Sequence, residues 1–209
     1  TPSTRKAVAS TRSLVLVHGG RLIDAVFHSS SGGVTEASGM VWRRQHPYLV
    51  SVPDHDQHSP VHRWEQWFDS AGLRQRLPET GGLQDVEVLS RSASGRVREA
   101  RLRGPRGSLV LSGGELRKRL GLKSTLVNFE MVTATASRGS RIDRITASVA
   151  RQRGAWPPLL VAPPPVLVSK TSVRRWSAGG LQLLVKGQGY GHGVGMSQWG
   201  AHGLAEQGA

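Results

Sequence analysis

Apolar and polar residues alternate with period two through several short stretches of this chain, a pattern that predicts strands in preference to long helices. Residues 12–28 predict a β-hairpin, because RSLVLVH and RLIDAVFH flank Gly19-Gly20, a two-residue turn that tolerates positive φ. In its second strand Ile23, Ala25 and Phe27 share one face, and Asp24, Val26 and His28 share the other. His28 therefore emerges at a strand end and opens into Ser29-Ser30-Ser31-Gly32-Gly33, with Thr35 and Glu36 after it. Small polar residues and glycines at a strand end predict a pocket wall. Taken alone, the segment also fits an ordinary serine-rich turn.

Further along, Trp64, Trp67 and Phe68 are expected in the core, and Asp69 or Ser70 caps a short helix through Leu77. DVEVLSR (85–91), SGRVREARLRG (94–104) and GSLVLS (107–112) predict antiparallel strands. Ser112 and Glu115 form a capping-box pattern opening ELRKRL, and Gly121 is placed to end that helix. LVNFEMV (126–132), RIDRITASV (141–149) and LQLLVKG (181–187) predict more strands. Prolines 157, 158 and 163–165 predict an extended surface insertion at about 153–170, since proline fits neither helix nor central strand. A strand resumes after it, so it is not read as a domain boundary. Residues 197–208 predict a helix with Ser197 as N-cap, and no repeat period is visible. The sum is one α+β domain over 1–209, mostly antiparallel β with a few short helices. Its polar loops, 28–36 and 187–200, lie at strand ends. The chain starts at Thr1, with no initiator Met, and is expected to run almost directly into the first strand.

The second loop is the more distinctive. Residues 186–200, KGQGYGHGVGMSQWG, place Gln188, Tyr190, His192, Ser197, Gln198 and Trp199 among glycines 187, 189, 191, 193, 195 and 200. A backbone carries so much glycine where it needs positive φ or close approach, and the side chains between suit a polar ligand with an apolar face, such as a sugar. A flexible linker would carry fewer large side chains. No frame yields GxGxxG or a Walker A sequence, which disfavours a nucleotide site.

Charge widens the choice of partner. There are 28 Lys and Arg against 14 Asp and Glu, a net of +14, so nucleic acid, an anionic membrane or an anionic wall polymer are all candidates. Arg91, Arg96, Arg98, Arg101, Arg103 and Arg106 crowd one strand region, where they would repel unless an anionic partner or screening intervenes. Absence of cysteine excludes disulfides and thiolate metal sites. His55, His58 and His62 lack a metal-ligand spacing, and Pro60 breaks any helix that would align them, so a solvated loop is the better account. No apolar run has the length of a membrane span, and no signal peptide is visible.

Three stretches, taken together, resemble the SpoIID/LytB family of bacterial cell-wall proteins, in the family's order and over nearly the whole chain. They are IDAVFHSSSGGVTE with VWRRQHPYLVSVPD, then LSRSASGRVREARLRG with LSGGELRKRLGLKST, then GYGHGVGMSQWGAHGLAEQG. The resemblance implies an extracytoplasmic protein whose active relatives are lytic transglycosylases on peptidoglycan strands lacking stem peptides. Other relatives enhance an N-acetylmuramoyl-L-alanine amidase. It also implies a catalytic glutamate in a helical segment ahead of a motif that here starts at Ala7-Val8-Ala9-Ser10-Thr11-Arg12, so that segment is absent from the chain given. Arg43 stands where the family usually has glycine, and the zinc of some members involves cysteines, so no cofactor is expected.

Cleaving a glycosidic bond needs a carboxylic acid of raised pKa, and a hydrolase adds a second carboxylate about 5 to 10 Å away. Glu36 is the only carboxylate expected beside either loop, more as an organiser of backbone N–H groups than as the acid. His28 and His192 are expected to meet across a cleft, binding sugar hydroxyls or relaying a proton. Trp42, Tyr48, Tyr190 and Trp199 are candidates to stack on sugar faces. Ser29, Ser30, Ser31, Gly32, Gly33, Thr35, Gly191, Gly193, Ser197 and Gln198 complete the expected lining. The competing classes are a non-catalytic wall module that assists an amidase and a basic nucleic-acid binder. The latter lacks helix-turn-helix, zinc-finger and RNP-like signatures, and its Arg cluster lacks interleaved aromatics.

Overall fold

The computed structural model describes residues 1–133 and 180–208. In chain order its elements are α1 (Pro2–Ser10), β1 (Val17–His18), β2 (Arg21–Leu22), β3 (Phe27–His28), α2 (Ser38–Val41), β4 (Arg63–Phe68), α3 (Ser70–Arg76), β5 (Asp85–Arg91), β6 (Val97–Gly104), β7 (Gly107–Ser112), α4 (Gly113–Leu120), β8 (Leu126–Thr133), β9 (Leu181–Gln188), β10 (Met196–Ser197) and α5 (Gln198–Glu206). Two three-stranded antiparallel sheets carry most of the pairing, ordered β4-β9-β8 and β5-β6-β7. The fold class is therefore α+β, mostly antiparallel, with short helices. The expected strand at 141–149 and the proline-rich insertion lie outside the described residues.

Between the sheets the core follows from two periodicities. Val97, Ala100 and Leu102 turn inward from β6, Leu183 and Val185 from β9, and Trp64 and Phe68 from β4. Leu73 and Leu77 at the end of α3, and Leu116 and Leu120 on α4, are spaced by four residues and so stack on one helix face. Trp67, expected in this core, is instead 47% exposed: it adjoins Phe68 on one strand, and neighbouring strand positions face opposite ways. Asp69 caps α3 through Gly72 N–H at 2.7 Å. Both bonds of the Ser112/Glu115 capping box are made, and Gly121 closes α4 in the left-handed region at φ 68°.

The N-terminal hairpin is much shorter than expected. Only Val17–His18 and Arg21–Leu22 pair across Gly19-Gly20. Beyond them the second strand peels away because its backbone finds tertiary partners: Asp24 N–H donates to the Tyr48 hydroxyl at 3.1 Å, and the Val26 carbonyl accepts from Met196 N–H at 3.1 Å. The chain also opens on a helix, not a strand, with Thr1 as N-cap and Pro2 at a first-turn position where proline costs no hydrogen bond.

Two members of the arginine crowd are neutralised from within, which relieves part of the expected repulsion. Arg101 pairs with Glu87 at 2.9 Å, and Arg103 reaches Asp85 at 2.9 Å and Glu87 at 2.6 Å across the β5–β6 ladder. Arg91 donates to the Gly95 and Val127 carbonyls and to Asn128. Arg96 is buried. Among the described residues no helix is long and apolar enough to cross a membrane.

Candidate functional site

Loops 28–36 and 189–197 run side by side, joined by backbone bonds. β3 and β10 pair in parallel, Phe27 with Met196 and His28 with Ser197. Ser30 and Tyr190 exchange two hydrogen bonds, of 3.2 and 2.7 Å, and Glu36 N–H donates to the Gly193 carbonyl at 2.8 Å. The second loop is launched by β9, where Gly187 faces Trp64 in the ladder; a Cβ there would lie 2.2 Å from the indole, so only glycine lets the ring lie flat. Trp64 Nε1–H then donates to the Gly189 carbonyl at 2.8 Å, fixing where the run departs.

The polar side chains of loop 28–36 are mostly consumed in holding it. Ser30 Oγ donates to Asp56 and Ser31 Oγ to Asp54; Gly32 N–H adds a 2.7 Å bond to Asp56. Asp56 is fully buried and also meets His62 Nδ1 at 3.1 Å. Burial pushes its carboxyl upward, but the Ser30 hydroxyl, the Gly32 amide and the His62 ring outweigh that and leave it below the ordinary range. Glu36 was therefore not the only carboxylate beside the loops: Asp54 and Asp56 lie under them, brought there by the return of the chain through residues 52–62. His62 is correspondingly a partnered side chain and not part of a solvated loop, while His58 meets Glu206 at 2.9 Å near the surface. Thr35 accepts Val52 N–H at 2.9 Å.

Arg96 is the clamp between the loops. Its terminal nitrogens donate to the Val34 carbonyl (3.0 Å), the Ser31 carbonyl (2.7 Å) and Ser94 Oγ (2.8 Å). Gly193 sits against the guanidinium with φ 84°, and a Cβ would come within 2.6 Å of it. Burial lowers the Arg96 pKa, and the charges of Glu36 and Asp56 oppose that. Glu36 itself accepts from Ser92 Oγ, Ser94 Oγ (2.8 Å) and Ala37 N–H (2.9 Å), so hydroxyls as well as one backbone amide fill it.

The two imidazoles meet, ring centroids 5.6 Å apart, and one residue sets both tautomers. Val194 N–H donates to His192 Nδ1 at 3.0 Å, so the neutral His192 ring carries its proton on Nε2. The Val194 carbonyl lies 3.1 Å from His28 Nδ1, which must donate, leaving His28 Nε2 as a bare acceptor. That acceptor is buried and has no partner among the described residues. Burial lowers the His28 pKa to about 4, helped by His192 and Arg96 and opposed by the Val194 bond. Burial and then Arg117 lower that of His192, while the Phe27 carbonyl opposes them. Both rings are thus neutral near pH 7. Trp42 packs its indole on His192 at 5.2 Å between centroids and remains 40% exposed.

A groove of about 760 Å³ opens here. Glu36, Met40, Val41, Gly191 and His192 line it from the loops and α2, and Arg98, Glu99, Gly113, Arg117 and Lys118 line it from β6 and α4. Several expected lining residues lie elsewhere or are occupied. Tyr48 stands apart from the groove, its hydroxyl held by Asp24 N–H and His46 Nδ1. Ser197 is buried as the cap of α5, accepting Gly200 N–H at 3.0 Å. Gln198 is exposed, Trp199 packs its ring on His202 while its backbone N–H donates to the Ser29 carbonyl, and Tyr190 is 40% exposed. Gly33 lies near His62. Asp54, Asp56, Arg96 and Arg117 are the site residues that sequence reasoning missed. The acids had a visible signal, DHDQH directly after the loop-forming Pro53; the two arginines, among so many, had none. Among the described residues no group of three or more His, Asp or Glu side chains is placed to hold a metal.

No family model matches the chain. It is 30% identical over 223 residues to the amidase enhancer of Bacillus subtilis (strain 168), covering 99% of this chain and 30% of that protein. To the stage II sporulation protein D of Bacillus amyloliquefaciens it is 28% identical over 97% of its own length and 45% of the relative's, and the B. subtilis protein of that name matches equally. The chain thus spans less than half the length of these curated relatives. Both matched names are those the three sequence stretches point to, the likeness runs over almost every residue present, and the chain belongs to the SpoIID/LytB family.

Proposed function

We propose that these residues form the glycan-handling part of an extracytoplasmic protein that remodels the bacterial cell wall, binding peptidoglycan strands stripped of stem peptides. The whole region 1–209 acts as one unit in this reading. The observation that carries it is the groove ending at Gly191 and His192, with His28 and Trp42 packed on the imidazole. Its volume falls in the range of small-ligand clefts, about 300 to 1,000 Å³. An exposed indole offers a sugar ring an apolar face, and His192 Nε2–H and the loop backbone offer hydroxyl partners.

The complete protein is read as a lytic transglycosylase, but neither Glu36 nor the imidazoles suit the role of acid. Glu36 is only 2% exposed and filled by three donors, and both rings resist protonation. The isolated 209-residue chain is therefore expected to bind peptide-free glycan without cutting it. Calorimetric titration with such strands tests this directly. Binding should weaken about tenfold in His192→Asn, an estimate for one lost polar contact. No heat with glycan would overturn the reading, and release of anhydro-muramyl products would overturn the binding-only part.

A second reading rests on the name of the 30% identical relative, an amidase enhancer. Here the chain presents glycan to an N-acetylmuramoyl-L-alanine amidase. Adding it to such an amidase on purified wall should raise the rate of amide cleavage; an unchanged rate removes this reading and leaves glycan binding intact.

A further inference from the structure

Some cations of this molecule already have partners within the protein. Arg101, Arg103 and Arg119 each hold a carboxylate within 3 Å, and Arg96 is spent on backbone carbonyls and Ser94. Arg98, Arg117 and Lys118 have no carboxylate partner among the described residues, and all three line the same groove as His192. We propose that Arg117, flanked by Lys118 and Arg98, is a carboxylate subsite of this groove and selects acidic sugars, those bearing the free lactyl carboxylate of a peptide-free muramic residue, over neutral ones. This rests on the glycan reading above.

Arg117 is built for the task. Its Nε donates to the Leu122 carbonyl at 3.2 Å, which anchors the half-buried side chain and leaves its terminal nitrogens without a hydrogen-bond partner among the described residues. A guanidinium so fixed presents a planar fork that matches a carboxylate's two oxygens. The negative groups nearby do not cancel it: Glu36 is filled by Ser92, Ser94 and Ala37, Glu115 is occupied by Ser112, and only Glu99 among the groove carboxylates is uncommitted. A nucleic acid is a poorer occupant, since its phosphates would need an extended basic track, whereas here the cations share the groove with an imidazole and the apolar pair Met40-Val41.

The test titrates the chain with two oligosaccharides of equal length: a peptide-free N-acetylglucosamine–N-acetylmuramic acid strand and a neutral chito-oligosaccharide. The wild type should bind the acidic strand about tenfold tighter at low salt, a preference that shrinks as salt rises. Arg117→Gln with Lys118→Gln should abolish the preference, bringing affinity for the acidic strand down to that for the chito-oligosaccharide. Where loss of the Leu122 bond unfolds that variant, Arg98→Gln with Lys118→Gln, both at exposed positions, should reduce the preference. Equal wild-type affinity for both sugars overturns the subsite and leaves glycan binding standing. Binding of neither overturns both. Competition by duplex DNA as strong as by the acidic strand makes the wall a general polyanion surface and overturns the selectivity.

Discussion

The two sides of the groove use polar residues in opposite ways. On the glycine-rich side nearly every polar side chain is already bonded inside the protein: Ser30 and Ser31 to aspartates, Arg96 to carbonyls, Glu36 to three donors. On the α4 side, Arg98, Arg117 and Lys118 keep unmatched charge at the surface. Buried polar groups left unpaired cost about 1 to 3 kcal/mol each, so the first wall is rigid by necessity and the second is free to exchange water for a ligand. The comparison teaches that a residue's chemistry does not mark it as a contact. What marks it is whether the fold has already used its hydrogen bonds.

The strongest way to break this contrast is Gly193→Val. It forces a β-branched residue into positive φ and against Arg96, and should cost about 4 kcal/mol, adding backbone strain to overpacking. Urea denaturation reads it directly; a loss below 1 kcal/mol would mean the clamp is loose. Acid offers the next test. The folded His28 pKa of about 4 lies below the ordinary 6.5, so the unfolded chain binds the extra proton first. Stability is full above about pH 6.5 and falls as pH drops toward 4, by about 3 kcal/mol from this ring. Burial of His192 adds a smaller loss of the same sign. His28→Gln should flatten most of that slope in melts run from pH 7.5 to 4.5.

Smaller effects separate the second wall from mere charge. Ser112→Ala removes the cap that orients α4 and should cost about 1 kcal/mol, with weaker selection for acidic sugar because Arg117 rides on that helix. Arg103→Gln removes two solvent-exposed pairs and should change stability by less than about 1 kcal/mol, with no effect on glycan affinity. A glycan defect in Arg103→Gln equal to that in Arg117→Gln would show that net charge alone attracts the ligand.

Elements whose cause is local could be read from the chain before any fold was known. The β5–β7 meander, α3 with its Asp69 cap, the Ser112 capping box ended by Gly121, β9 and α5 all follow from periodicity and cap residues a few positions apart. The N-terminal hairpin was overextended because the alternation of residues 21–28 suits any strand, and only long-range contact decides which partner it takes. Tyr48 and Ser197 carried the right chemistry for a sugar site, yet the fold spends both on internal hydrogen bonds.

By itself the sequence determined the fold class and the ends of α3, α4 and α5. It could do so because alternation, caps and glycine placement act within a few residues. Only the tertiary structure decided which charges remain available. Arg96 and Arg117 are indistinguishable along the chain, but one is folded beneath Gly193 among carbonyls and the other is left at the groove without a carboxylate. That difference is a matter of desolvation and of partners brought from distant residues, which no local pattern encodes.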